Sequence, residues 1–389
     1  MSLKGKAAIV GFAEMKPKLD PGGLTLEDIM MRVSRDAIQD AGLTMKDIDG
    51  LLVQSPIGAL SFMWSCTLSS MLRIEPTYSD TCDLGGASSA GMVMRAAAAI
   101  QAGLCSNVLC VTAEVGNTET YYQTLNPMNP GRASFDAAYG AMGANSAYAL
   151  LARRHMQEYG TTSRQLAKIA VDERANACQN PLALFGTHPL TIEDVLSSRM
   201  ICDPLHLLDI VRWCTGGAAL IVTSAERAAS LRKPPVFILG AGEGSADVSL
   251  ESRPSLTDSP VRLSAAKAFR MAGATPKDIK LASAYDCYTI TVLVTLEDAG
   301  FCTKGEGGPF VEHHNLTYKG DFPVNTHGGQ LSFGQPGGAG GMSHINEAVR
   351  QIRGEAGPRQ INDCDLVFVH GVGGGAISKS ASLVLGRSK

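Results

Sequence analysis

Asp36-Ala37-Ile38-Gln39-Asp40-Ala41-Gly42-Leu43-Thr44-Met45-Lys46-Asp47-Ile48 returns in the second half of the chain as Lys267-Ala268-Phe269-Arg270-Met271-Ala272-Gly273-Ala274-Thr275-Pro276-Lys277-Asp278-Ile279. Both copies read as the end of a helix, a glycine stop, a Thr-x-Lys-Asp-Ile turn and then a strand. A repeat at this distance marks a duplicated architecture. A further strand–helix unit follows in each half, and the glycine-rich turn at Gly85 has its counterpart at residues 328–341. Two copies of one α/β fold, facing each other, would gather these turns around one cleft.

Working outward, residues 7–12, 48–53 and 107–113 are short apolar runs that read as strands, and residues 26–41 have helical spacing closed by Gly42. Strands alternating with helices predict a mostly parallel sheet covered on both faces. The rhythm stops near Val115. From about residue 115 to 198 the chain is richer in Tyr, Asn, Pro and Arg and carries helical pieces at 144–159 and 163–179. We read this stretch as a helical insertion lying over the site, with the sheet resuming at 217–223. The division is an N-terminal half, 1–230, containing the insertion, and a C-terminal half, 231–389. The alanine-rich helix at 85–101 carries almost no charge and reads as buried, and it and its counterpart at 338–353 are expected to pack together in the middle.

A chain of 389 residues exceeds one ordinary core. Its net charge of -3 argues against nucleic acid as the main partner. There is no apolar run of 18 residues or more and no leader pattern ahead of Lys4, so a cytoplasmic protein away from the membrane is expected. The ten cysteines form no CxxC pair; they read as reduced thiols, and no metal site is expected.

Four stretches carry candidate chemistry. Thr81-Cys82-Asp83-Leu84-Gly85-Gly86 puts a cysteine near the start of the buried helix, where unpaired N–H groups favour a thiolate. Cys82 is therefore either a nucleophile or a small core residue. Ala284-Tyr285-Asp286-Cys287-Tyr288 follows a strand and is either a functional turn or a buried strand end. Residues 325–341 concentrate glycines around His327 and Gln335, which favours a tight backbone site. His370-Gly371-Val372-Gly373-Gly374-Gly375 follows the strand at 366–369; Gly373 and Gly374 can offer N–H groups to an oxyanion. A nucleotide loop is the weaker reading, since no Lys-Ser/Thr ends the run.

Taken together, the duplicated halves, the insertion, Cys82 before Gly85-Gly86 and the two C-terminal glycine motifs resemble the thiolase superfamily, and within it the sterol carrier protein-type, lipid-transfer-like branch. Arg154-His155-Met156-Gln157-Glu158-Tyr159-Gly160-Thr161-Thr162 and Asn180-Pro181 resemble segments of that branch's insertion. The resemblance implies a five-layered fold with a mixed five-stranded sheet in each half. It also implies a homodimer or tetramer, with the apolar strand around Cys110 as the pairing edge. At the site it implies Cys82 as the nucleophile that forms a thioester and Cys287 as the second cysteine. The family's GHP histidine is Gln335 here, in Gly334-Gln335-Pro336, and the branch's His-Asp-Cys-Phe is Tyr285-Asp286-Cys287-Tyr288. Gln335 donates a hydrogen bond but takes no proton. His327 or His370 would then have to activate Cys82, with His370 the better placed.

Three functions follow from the resemblance. The first is acyl transfer, thiolysis or Claisen condensation on an acyl-coenzyme A through Cys82, with no permanently bound cofactor. The second is a retro-aldol lyase acting on a coenzyme A thioester through tyrosines and an aspartate, without a covalent cysteine intermediate, aided by an OB-fold, zinc-ribbon partner whose zinc ligands this chain lacks. The third is a non-catalytic acyl- or lipid-binding subunit. The expected site is one pocket lined by Cys82, Cys287, Tyr285, Gln335 and His370, with Gly373 and Gly374 as backbone donors.

Overall fold

Thr44 and Thr275, the fixed points of the sequence repeat, do the same job in both halves. The Thr44 N–H and hydroxyl donate to the Asp47 carboxylate at 2.9 and 2.7 Å, and those of Thr275 donate to Asp278 at 2.8 Å each. Each box closes a one-turn helix that hands the chain to a strand. The helix before it, Leu26–Asp40 in the first half and Val261–Ala272 in the second, lies on an outer face. The computed structural model describes residues 2–59, 63–116, 137–141 and 143–388.

Eleven strands are present among the described residues: β1 (Ala7–Glu14), β2 (Gly50–Gln54), β3 (Tyr78–Cys82), β4 (Asn107–Glu114), β5 (Met200–Cys202), β6 (Leu205–His206), β7 (Gly216–Ser224), β8 (Val236–Ser245), β9 (Leu281–Ala284), β10 (Leu366–Gly373) and β11 (Lys379–Gly386). Strands β5 and β6 form a small hairpin, and the other nine make one sheet in the order β3-β2-β4-β7-β1-β8-β11-β10-β9. The first half supplies β3 to β1 and the second β8 to β9. They join through two residue pairs, Ala8–Phe237 and Ile9–Val236.

Side chains alternate cleanly across this sheet. Ile9, Leu52, Val108 and Leu220 of the first half and Val236, Val367, Val369 and Leu383 of the second point inward, onto helices Ser88–Gln101 and Gly341–Arg353. Ala8, Leu51, Val53 and Ile221 face helix Leu26–Asp40. Phe368, Val384 and Ala282 face helices Val261–Ala272 and Thr289–Asp298. The result is five layers with helices Ser88–Gln101 and Gly341–Arg353 in contact at the centre, as the sequence predicts.

Two expectations change. The second half has four strands in the sheet instead of five: beside β9 the chain makes only an isolated bridge, Ala282 to Val324. Pro323 has no N–H to donate, and Asn325 turns into the left-handed region (φ 48°), so pairing cannot propagate. The strand holding Cys110, expected as a pairing edge, lies inside the sheet between β2 and β7; the terminal strands are β3 in the first half and β9 in the second.

Between β4 and β7 the insertion contributes helices Gly143–Tyr159 and Ser163–Ala177, a short helix Ile192–Ser197 and the β5–β6 hairpin. No disulfide joins any of the ten cysteines. Among the described residues no helix is long and apolar enough to cross a membrane.

Candidate functional site

Strand β9 delivers the site's central side chain. Parallel pairing places Ala284 beside His370 of β10, and the next N–H, that of Tyr285, donates to the His370 carbonyl at 3.0 Å. This bond aims Tyr285 across the sheet's end toward the head of helix Ser88–Gln101. There the backbone at Gly86 lies directly against the Tyr285 hydroxyl, and a Cβ at that position would collide with it. The Gln335 amide Nε2 donates to the same hydroxyl oxygen at 3.1 Å, while its Oε1 is buried with no partner. Burial, with the neighbouring thiol and carboxylate, raises the Tyr285 pKa, so the phenol keeps its proton.

Gln335 is held from both sides. The Cys214 N–H donates to its carbonyl at 3.0 Å, and the segment before it is anchored on Asp286. The two carboxylate oxygens of Asp286 accept the backbone N–H groups of Gln330 and Leu331 at 2.8 Å each, capping the short helix Gly329–Phe333. His344, from the central helix, places Nε2 3.1 Å from Asp286 Oδ1 and sets its ring 6.0 Å from that of Tyr285. Burial opposes the Asp286 charge. The bonds from His344, Glu173 and Gln330 outweigh it and keep the carboxyl below its ordinary range. Asp286 is the hub of these contacts, and its place there depends on elements distant in the chain.

Cys287 lies next along the chain, buried, with Sγ 3.6 Å from Thr291 Oγ1 and in hydrogen-bonding contact with Tyr148 of the insertion. Burial pushes its thiol up to about 12. The Tyr148 ring stacks on Tyr288 at 4.2 Å, and its hydroxyl donates to the Gly374 carbonyl at 3.1 Å. The last glycine turn is thereby tied to the insertion. Gly373 packs against the backbone of Gly85, and its carbonyl accepts the Ser378 N–H at 3.0 Å.

Three sequence-selected side chains go elsewhere. Cys82 ends β3 and sits in the central apolar cluster with Met92 and Cys110, at 5% exposure. Burial raises its thiol to about 11, with the Arg95 guanidinium pulling the other way. Tyr285 and Cys287 belong to the outer cluster of the second half, so the expected single pocket does not gather Cys82 with them. The helix expected from residue 85 begins at Ser88, six residues after Cys82, and Gly86 is the residue at its head that meets Tyr285. His370 turns its ring to the outer layer, where Nδ1 bonds Ser382 Oγ at 2.8 Å. Burial holds it down at about 3, so it is a neutral imidazole that contributes its backbone carbonyl to the site. His327 bonds Ser343 Oγ at 3.2 Å, and burial likewise keeps it uncharged.

Known proteins resemble this arrangement. A family model described as thiolase C-terminal domain-like matches residues 242–387. An acetyl-CoA acetyltransferase of Methanothermobacter thermautotrophicus is 33% identical, with 90% of this chain and 92% of that protein covered. A steroid side-chain-cleaving aldolase of Thermomonospora curvata is 36% identical, with 90% and 91% covered. Among solved structures, an Ltp2-ChsH2(DUF35) aldolase superposes with a TM-score of 0.89 at 33% identity, over 99% of this chain and 98% of that one.

Proposed function

Because this chain belongs to the thiolase superfamily, in its sterol carrier protein-type branch, we propose that it is a carbon–carbon lyase cleaving a β-hydroxyacyl thioester of coenzyme A by a retro-aldol reaction. One observation carries this reading. The Tyr285 hydroxyl, fixed by Gln335, occupies the place at the helix head, and the Cys82 thiol lies in the apolar core. The likeness to the aldolase in sequence and structure supports it.

The chemistry asked of these residues is a proton shuttle. The substrate hydroxyl lies against the Tyr285 oxygen, and the unpartnered Gln335 Oε1 accepts a hydrogen bond from the bound hydroxyl or a water. As the Cα–Cβ bond breaks, the hydroxyl proton passes to the Tyr285 oxygen and the tyrosine's own proton passes to Cα. The O–H electron pair becomes the carbonyl of the departing ketone or aldehyde. The Cα–Cβ pair becomes the new C–H bond of the shortened acyl-coenzyme A. Tyr285 is neutral before and after, which suits a phenol whose pKa burial has raised. Backbone N–H groups at the helix head and the Gly373–Gly374 turn frame the thioester oxygen. No permanently bound cofactor takes part.

We further propose a small partner of the DUF35 type, as the matched aldolase's name suggests for that protein, with an OB-fold and zinc ribbon. Acyl transfer through Cys82 is the second reading, kept by the likeness to an acetyl-CoA acetyltransferase. Two variants separate them. With a β-hydroxyacyl-coenzyme A as substrate and the partner co-expressed, Cys82→Ala retains most activity under the lyase reading and Tyr285→Phe loses about 10² to 10⁴-fold. Loss of activity in Cys82→Ala with Tyr285→Phe unaffected would establish acyl transfer instead.

A further inference from the structure

Against the Asp286 carboxylate lies a second carboxyl that the chemistry above does not use. Glu173 comes from the insertion helix Ser163–Ala177, at 1% exposure, and meets Asp286 at 0%. Their proximity is shown by Gly329. A Cβ added there would collide with Asp286 Oδ2 and with Glu173 Oε2, so both oxygens converge on one glycine. Glu173 Oε1 accepts the Asn325 Nδ2 amide at 2.7 Å, whereas Oε2 has no donor of its own. Asp286 already accepts two backbone N–H groups and faces His344. Two full negative charges in so dry a place would repel strongly, whereas one proton between them makes a short charge-assisted bond.

We propose that Glu173 and Asp286 share a single proton carried on Glu173, and that this acid–carboxylate pair positions residues 329–335, and with them Gln335, against Tyr285. Glu173 is thus a positioning residue that acts through Asp286, and its effect on turnover rests on the lyase reading. The route is short. Asp286 holds the N–H groups of Gln330 and Leu331, and the chain reaches Gln335 two residues after helix Gly329–Phe333 ends. Burial and the Asp286 charge both raise the Glu173 pKa well above the ordinary carboxyl range. The other titratable or charged groups around the pair are His344 on Asp286, with His327 beyond it at a ring distance of 4.8 Å. Tyr285 and Cys287 flank Asp286 in the chain, and Asp172, beside Glu173, is paired with Lys168.

Removing the shared proton at high pH leaves two carboxylates facing Gly329 and pushes the 329–335 segment away from Tyr285. Glu173→Gln keeps an N–H to give Asp286 and an oxygen for Asn325 but has no proton to lose. Three measurements on the full chain, with the partner co-expressed for turnover, test this. Turnover of a β-hydroxyacyl-coenzyme A should fall on the order of tenfold or more in Glu173→Ala, as positioning is lost. Glu173→Gln should rescue it and abolish the alkaline decline of kcat. Infrared difference spectra should show the carbonyl stretch of a protonated carboxylic acid in the wild type that is missing in Glu173→Gln. The third readout is thermal stability. Native Glu173 binds a proton that the unfolded chain has released, so wild-type stability falls as pH rises from the ordinary carboxyl range toward the raised native value. Glu173→Gln should lack that fall. The spectroscopic and thermal readouts need no turnover, so they decide the shared proton even if the lyase reading fails. A carbonyl band unchanged in Glu173→Gln, or a Tm that depends on pH identically in both proteins, would overturn the proposal.

Discussion

Tyr285 keeps its hydroxyl within 3.1 Å of the Gln335 amide because the backbone opposite carries no side chain at Gly86. Cys82 stands four residues earlier in the chain, on the last residue of β3, where the pleat turns it into the central layer. With a thiol pKa of about 11, its thiolate fraction at pH 7 is on the order of one part in ten thousand. Iodoacetamide at neutral pH should therefore label exposed Cys66 well before Cys82. Labelling of Cys82 should then accelerate roughly tenfold per pH unit until about 11. Gln335→His should leave the Cys82 rate unchanged, because the amide's partner is Tyr285. Faster labelling of Cys82 than of Cys66 at pH 7, followed by peptide mass spectrometry, would show an activating group that these contacts do not contain.

At the scale of elements, the helix bearing Glu173 is set by its first turn. Thr162 Oγ1 accepts the Gln165 N–H at 3.2 Å, and the Gln165 side chain returns to the Thr162 N–H at 3.0 Å. Thr162→Ala removes one half of this box and should cost about 1 kcal/mol, read as a lower urea midpoint with an unchanged slope. An unchanged midpoint would mean that packing alone holds the helix. Elements of this kind were legible in the sequence, since a cap and its partner are three residues apart and the Thr-x-Lys-Asp-Ile repeat appears twice. What the sequence did not disclose is which residue stands where an element ends. Spacing alone could not say whether the strand stops before or after Cys82, and that single choice exchanges a thiol for Gly86 at the helix head. Nor could it show that Glu173 and Asp286 meet, because their contact depends on the insertion folding back over the second half. His370 was misjudged for a related reason: it lies next to the glycine run, but the alternation of β10 sends its ring to the outer layer with Phe368, at an interplanar angle of 3°.

For the molecule as a whole, helices Ser88–Gln101 and Gly341–Arg353 share one central layer, so neither half covers its own helix alone. The nine-stranded sheet wraps around them and leaves β3 as its terminal strand. The Ser55 N–H donates to the Cys82 carbonyl at 3.0 Å, which turns the backbone polar groups of Cys82 toward β2. By alternation Asp80 and Tyr78 face the same way, as the Tyr78 N–H to Asp49 carbonyl bond at 3.3 Å also shows. Ser79 and Thr81 therefore turn their backbone groups outward; the Thr81 N–H is taken by Asp80 Oδ1 at 2.8 Å, and the Ser79 N–H with the two C=O groups forms a row that a second copy can complete. We propose a homodimer paired through β3, with the two edges antiparallel about a two-fold axis. Ser79→Pro is the informative change. It removes an outward donor while leaving every bond to β2 in place, and proline is tolerated on an edge strand in that setting. Sedimentation velocity should show the wild type as a dimer and Ser79→Pro shifted toward monomer, with the circular dichroism of the two proteins alike. A wild type that is monomeric at all concentrations would overturn the dimer, and a Ser79→Pro dimer as tight as the wild type's would place the contact elsewhere than β3.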